Sequence, residues 1–114
     1  MSSKNEDKTE IEEMQEKLQK IKEQEGIIGY ILRDKETASI DLKDPKKIID
    51  YAVLSSTAFE AANNLADTLS IGEITEIIVE SEEAKVVSIN AEKYRLSIFM
   101  ENTIDHTKLC KSLE

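Results

Sequence analysis

A length of 114 residues predicts one domain built on one hydrophobic core. Hydrophobic residues make up 39% and charged residues 34%, with 4% aromatics and no Trp, which is a soluble composition without platforms for stacking sugars or bases. The net charge of −9 lacks the cationic footprint of a nucleic-acid binder, disfavours docking on an anionic membrane, and suits solubility or a basic partner surface.

Residues 1–8 are polar and are expected to be a flexible N-terminus. "TEIEEMQEKLQKIKEQEG" then opens with Thr9 and Glu12 at capping-box spacing. Ile11, Met14, Leu18 and Ile21 form one narrow helical stripe, and Gly26 supplies the stop. About two heptads are too short for a free-standing coiled coil, so this helix is expected to dock on the domain, on the sheet face away from the second helix.

"GIIGYILRD" is almost continuously apolar and predicts a strand with both faces covered. After a turn at Lys35-Glu36, "TASIDLKD" alternates, with Ala38, Ile40 and Leu42 on one face. Asp44-Pro45 predicts a helix start, with Asp44 as cap and Pro45 in the first helical position. The helix extends to about Ser70, and Gly72 is expected to end it.

"EITEIIVES" reads as a strand with Ile74, Glu76, Ile78 and Glu80 on one face and Thr75, Ile77 and Val79 on the other. "KVVSINA" and "YRLSIFMEN" are two more strands, the last placing Tyr94, Leu96, Ile98 and Met100 together. "IDHTKLCKSLE" is a short terminal helix whose candidate contacts are Ile104, Leu109 and Leu113. The order α-β-β-α-β-β-β-α, with connections short enough for hairpins, predicts an α+β domain with an antiparallel sheet.

The helix over residues 48–69 is unusual in its small side chains. On a wheel of about 100° per residue, one arc holds Ile48, Ala52, Ser55, Phe59, Ala62 and Ala66, and a second beside it holds Tyr51, Leu54, Ala58, Ala61, Leu65 and Leu69. Together they span about half the circumference, wider than one sheet contact requires. A second neighbour is therefore expected: a terminal helix of the same chain, or another chain. Asp50, Thr57, Glu60, Asn63, Asn64, Asp67 and Thr68 make the opposite arc polar, and Ile49 and Val53 interrupt it. Those two either pack under a loop or anchor a partner.

Catalytic signals are weak. His106 is the only histidine and lies beside Asp105, and Cys110 follows one helical turn later. That pair is geometrically possible but carries no specific motif, and a surface histidine with a half-buried cysteine is the simpler reading. One His and one Cys do not make a zinc set, the Glu12-Glu13 and Glu82-Glu83 pairs lack the spacing of a calcium loop, and no Gly-rich phosphate loop occurs. No metal, nucleotide or other cofactor is expected. Arg33 and Arg95 are the only arginines. If one served as an arginine finger, Arg33, near a hairpin tip, would be the one to protrude. The single cysteine excludes an intrachain disulfide and suits a reducing compartment. With no apolar h-region in "MSSKNEDKTE" and no run near the roughly 20 residues of a membrane span, a cytoplasmic protein without membrane insertion is expected.

The Gly-aliphatic first strand "GIIGYILRD", the alanine-rich helix and "EITEIIVESEEAKVVSINAEKYRLSIFMEN" together resemble the roadblock/dynein light-chain family over about residues 9–113. The resemblance implies a single domain over residues 9–114, a five-stranded sheet with the long helix on one face, and the terminal helices on the other. It implies a homodimer with third strands paired edge to edge and long helices side by side, which would draw on Leu54, Ala58, Ala61, Leu65, Ile77 and Val79. Family dimers act as non-enzymatic adaptors and regulators of Ras-like small GTPases, or as structural light chains of motor and trafficking assemblies. A partner surface on Ile49, Val53, Glu60 and Asn64 is expected for the first of these roles. An enzyme built around His106 and Cys110 remains the distant third reading.

Overall fold

The computed structural model describes residues 10–35, 38–82, 84–91 and 93–113. The expected flexible segment 1–8, the Thr9 cap and the Glu36 end of the first turn lie outside them. The elements are helix α1 (Glu10–Lys22), strands β1 (Ile27–Arg33) and β2 (Ala38–Leu42), helix α2 (Ile48–Leu69), strands β3 (Glu76–Glu80), β4 (Ala84–Asn90) and β5 (Arg95–Glu101), and helix α3 (His106–Lys111). All pairings are antiparallel, in the spatial order β2-β1-β5-β4-β3. The expected α+β architecture and element order are therefore present, with β2 and β3 as the two edges.

Strand alternation divides the core into two layers. On one face, Tyr30, Leu32, Val87, Leu96, Ile98 and Met100 pack against Met14, Leu18 and Ile21 of α1 and against Leu109 and Leu113 at the C-terminus. The stripe read from the sequence thus docks on the sheet, with Ile11, Tyr94 and Ile104 at its margin. On the other face, Ile31, Leu42, Val86 and Phe99 meet Tyr51 and Ala52 of α2. Tyr51 and Phe99 lie ring to ring, 4.6 Å between centroids. The C-terminal segment is fastened to α1 by Lys17 Nζ, which donates to the Leu113 carbonyl at 3.0 Å.

The ends of α2 depart from expectation. Asp44 Oδ1 accepts from the Lys46 N–H at 3.1 Å, as a cap should, but Pro45–Lys47 form a 3-10 turn and the α-helix begins at Ile48. At the other end Ser70 caps the helix in the left-handed conformation, with φ 53°, two residues before Gly72, whose φ of 94° is also positive. The Ser70 and Ile71 N–H groups close back on the Asp67 and Ala66 carbonyls at 3.2 Å, satisfying two of the last carbonyls before Gly72 is reached.

Gly29 has a steric reason to be glycine. A Cβ there would lie 2.7 Å from Leu42 Cα and closer still to the Asp41 carbonyl oxygen, both backbone atoms of β2. The β1–β5 register also shifts between Ile27 and Gly29. Gly29→Ala must push the edge strand away and is expected to cost about 1–3 kcal/mol. Urea denaturation of the variant checks this, and an unchanged midpoint would contradict the close approach.

Candidate functional site

The two apolar arcs of α2 have different fates. Ser55, Phe59 and Ala66 of the first are buried against the sheet, and Ala52 and Ala62 are half-buried. The second is largely uncovered: Leu54 is 42% exposed, Leu65 57% and Leu69 56%. Ala61 is exposed between them, and Tyr51 and Ala58 are half-buried. These residues follow one another at helical spacing, so they form a continuous stripe. The α1 and α3 helices pack on the opposite sheet face and cannot cover it.

Strand β3 contributes to the same layer. Ile77 pairs with Ser88 and Val79 with Val86, residues that face α2. Ile77 is half-buried and Val79 exposed. Ile78 pairs with Val87 and points to the other face. Because β3 is an edge, one row of its backbone hydrogen-bonding groups faces outward beside the apolar stripe. Leu54, Ala58, Ala61, Leu65, Ile77 and Val79 thus lie on one side of the molecule.

On the far flank of α2, Ile49 is 75% exposed and Val53 59%, so both stand in solvent and neither lies beneath a loop. Glu60 and Asn64 are exposed along the same flank. Arg33 is half-buried, with Nη1 3.4 Å from Ser56 Oγ, while Arg95 is the exposed arginine and lies over the Phe59 ring, 5.1 Å from its centroid. The expectation that Arg33 would protrude is therefore reversed: Arg33 leans on Ser56 of α2 and is the less exposed of the two.

Beneath α2 lies a polar feature that periodicity did not reveal. Ser97 Oγ is 2.6 Å from Ser55 Oγ and 2.8 Å from Ser88 Oγ, and all three residues are buried. The hydroxyls satisfy one another, which removes the cost of burying them. Three short side chains also let the helix sit close to β4 and β5. The sequence signal was a serine at the same inward position in "VVSIN" and "LSIF".

No family model matches the sequence, and no curated protein matches it. Solved structures do. A Roadblock/LC7 domain from Streptomyces avermitilis superposes with a TM-score of 0.68 at 13% identity, covering 89% of this chain and 85% of that one. The chain has the roadblock fold. Two bacterial roadblock-fold structures agree. The gliding protein MglB of Thermus thermophilus gives a TM-score of 0.67 at 20% identity over 91% of this chain and 82% of its own. Myxococcus xanthus MglB gives 0.69 at 13% identity over 89% and 82%.

Within this roadblock fold Asp105 and His106, considered above for catalysis, make local structural contacts. Asp105 caps α3, its Oδ1 accepting from the Thr107 and Lys108 N–H groups at 3.0 and 3.3 Å. His106 Nδ1 lies 3.2 Å from the Nζ of buried Lys85, which also donates to the Ile104 carbonyl at 2.5 Å. Among the described residues no group of three or more His, Cys, Asp or Glu is placed to hold a metal, and no helix is long and apolar enough to cross a membrane. The shifted acidities of Tyr30 and Asp41 both belong to the docking of α1. Burial raises the Tyr30 hydroxyl pKa, and the hydrogen bond from Lys22 lowers that of the Asp41 carboxyl. Gln19 Nε2 reaches both, at 2.7 Å from Tyr30 Oη and 3.1 Å from Asp41 Oδ2.

Proposed function

We propose that this chain is a non-enzymatic, cytoplasmic adaptor that homodimerises through α2 and β3 and binds a Ras-like small GTPase. The observation that carries the reading is the uncovered Leu54–Leu65–Leu69 stripe lying in one layer with an unpaired edge strand. A second copy offers matching surfaces for both at once: an apolar helix face for the stripe and an antiparallel strand for the edge. Ala58 and Ala61 let two helix backbones approach closely. A specific dimer of this kind buries about 1,200–2,000 Å² in total.

The GTPase half rests on the roadblock fold, whose family members include GTPase regulators, and is an argument by analogy. The local candidates for contact are Ile49 and Val53, two exposed aliphatics that the sheet does not use, flanked by Glu60 and Asn64. Val53→Glu replaces an exposed side chain, so stability should change by no more than about 0.5 kcal/mol. The same change places an unpaired carboxylate in the proposed contact.

The test is affinity capture on the immobilised chain from native extract loaded with GDP or a non-hydrolysable GTP analogue, with captured proteins identified by mass spectrometry. A small GTPase retained in one nucleotide state by the wild type and lost with Val53→Glu, at unchanged melting temperature, is the expected result. If no small GTPase is retained in either state, the structural light-chain reading replaces this one.

A further inference from the structure

In a chain of net charge −9, the only two arginines stand opposite each other. Arg33 ends β1, Arg95 opens β5, and the two are register partners, so their side chains leave the sheet on the same face, toward α2. Together with α2 they wall a cleft of about 330 Å³. Buried Ser55 and Ser97 lie at its base, and Ser56, Asn63 and Asn64 supply polar groups from the helix. Glu60 is the one carboxylate among the described residues lining it. The adjoining depression shares both arginines and adds Lys35 and Lys93 against Asp34. Among the described residues lining the two depressions, Arg33, Arg95, Lys35 and Lys93 outnumber the carboxylates Glu60 and Asp34.

We propose that this cleft binds the oxyanion group of a small molecule, a phosphoryl or carboxylate group gripped by both guanidiniums. Each guanidinium presents a planar fork of N–H donors that matches such a group in bidentate fashion. Arg95 is already ordered over Phe59, so less side-chain freedom is lost on binding. The volume falls at the lower end of small-molecule pockets, roughly 300–1,000 Å³. The cleft opens about half a turn around α2 from Leu54 and Leu65, so covering the apolar stripe leaves it accessible. Its donors are side chains, which is why the absence of a Gly-rich loop does not argue against it.

The experiment titrates the full chain with pyrophosphate and, separately, citrate at low salt, by calorimetry and by backbone amide shifts. Saturable binding of at least one, with shifts centred on Ser55, Ser56, Asn63 and Asn64, is expected. Preference between the two probes distinguishes phosphoryl from carboxylate ligands. Arg95→Gln and Arg33→Gln should each weaken binding about tenfold or more, and Arg95→Lys, which keeps the charge but not the fork, should also weaken it. Lys35→Gln should have a smaller effect. If neither probe saturates, the cleft is not an anion site. If Lys35→Gln weakens binding as much as Arg95→Gln, the attraction is diffuse charge and the proposal fails. Should one arginine variant unfold, the other arginine variant and the wild-type titration still decide.

Discussion

Leu65→Asp is expected to turn a dimer into a monomer without unfolding it. The side chain is 57% exposed in the single chain, so the carboxylate stays solvated there and the fold should lose no more than about 0.5 kcal/mol. In the proposed dimer the same position would face the second copy's α2. A twofold interface presents each substitution twice, so two carboxylates would be desolvated together. Even at about 2 kcal/mol per site, the value of an ordinary interface hot spot, the combined loss is about 4 kcal/mol. That is on the order of a thousandfold in the dimer dissociation constant. Sedimentation equilibrium of both proteins reads this directly. A variant that dimerises as tightly as the wild type would place the seam elsewhere.

Leu18→Ala should be the most damaging single truncation in the first helix. Leu18 is fully buried between α1 and the sheet, in the cluster that also holds Tyr30, Leu96 and Leu109. Cutting it to Ala removes transfer energy and leaves a cavity, at a cost of about 2–5 kcal/mol. For a domain whose whole stability is roughly 5–15 kcal/mol, that is a large share. Denaturant unfolding measures it. A loss below about 0.5 kcal/mol, the scale of a surface substitution, would mean that α1 does not hold to the sheet.

The strands and α1 were legible because their signals are local. Alternation in "YRLSIFMEN" separates Leu96, Ile98 and Met100 from Ser97 and Phe99, and the layers divide there. The width of the α2 apolar surface was legible for the same reason, and its two halves proved to be a buried arc and an uncovered one. What escaped depended on register or on backbone closure. That Arg33 and Arg95 face each other follows from the β1–β5 pairing, which no local pattern encodes. The Ser55–Ser97–Ser88 contacts join residues from three elements. Gly29 read as an ordinary residue of a buried strand, because its constraint comes from the β2 backbone. The helix end near Ser70 was legible, but its cap was not, because a serine takes the left-handed conformation two residues before Gly72.

A second copy of this chain is expected to cover the α2 stripe and the β3 edge. Light scattering on the wild-type chain, eluting from a size-exclusion column at high micromolar concentration, tests it most directly. A molar mass twice the 12.9 kDa of the single chain is expected. A mass of 12.9 kDa at that concentration would contradict it.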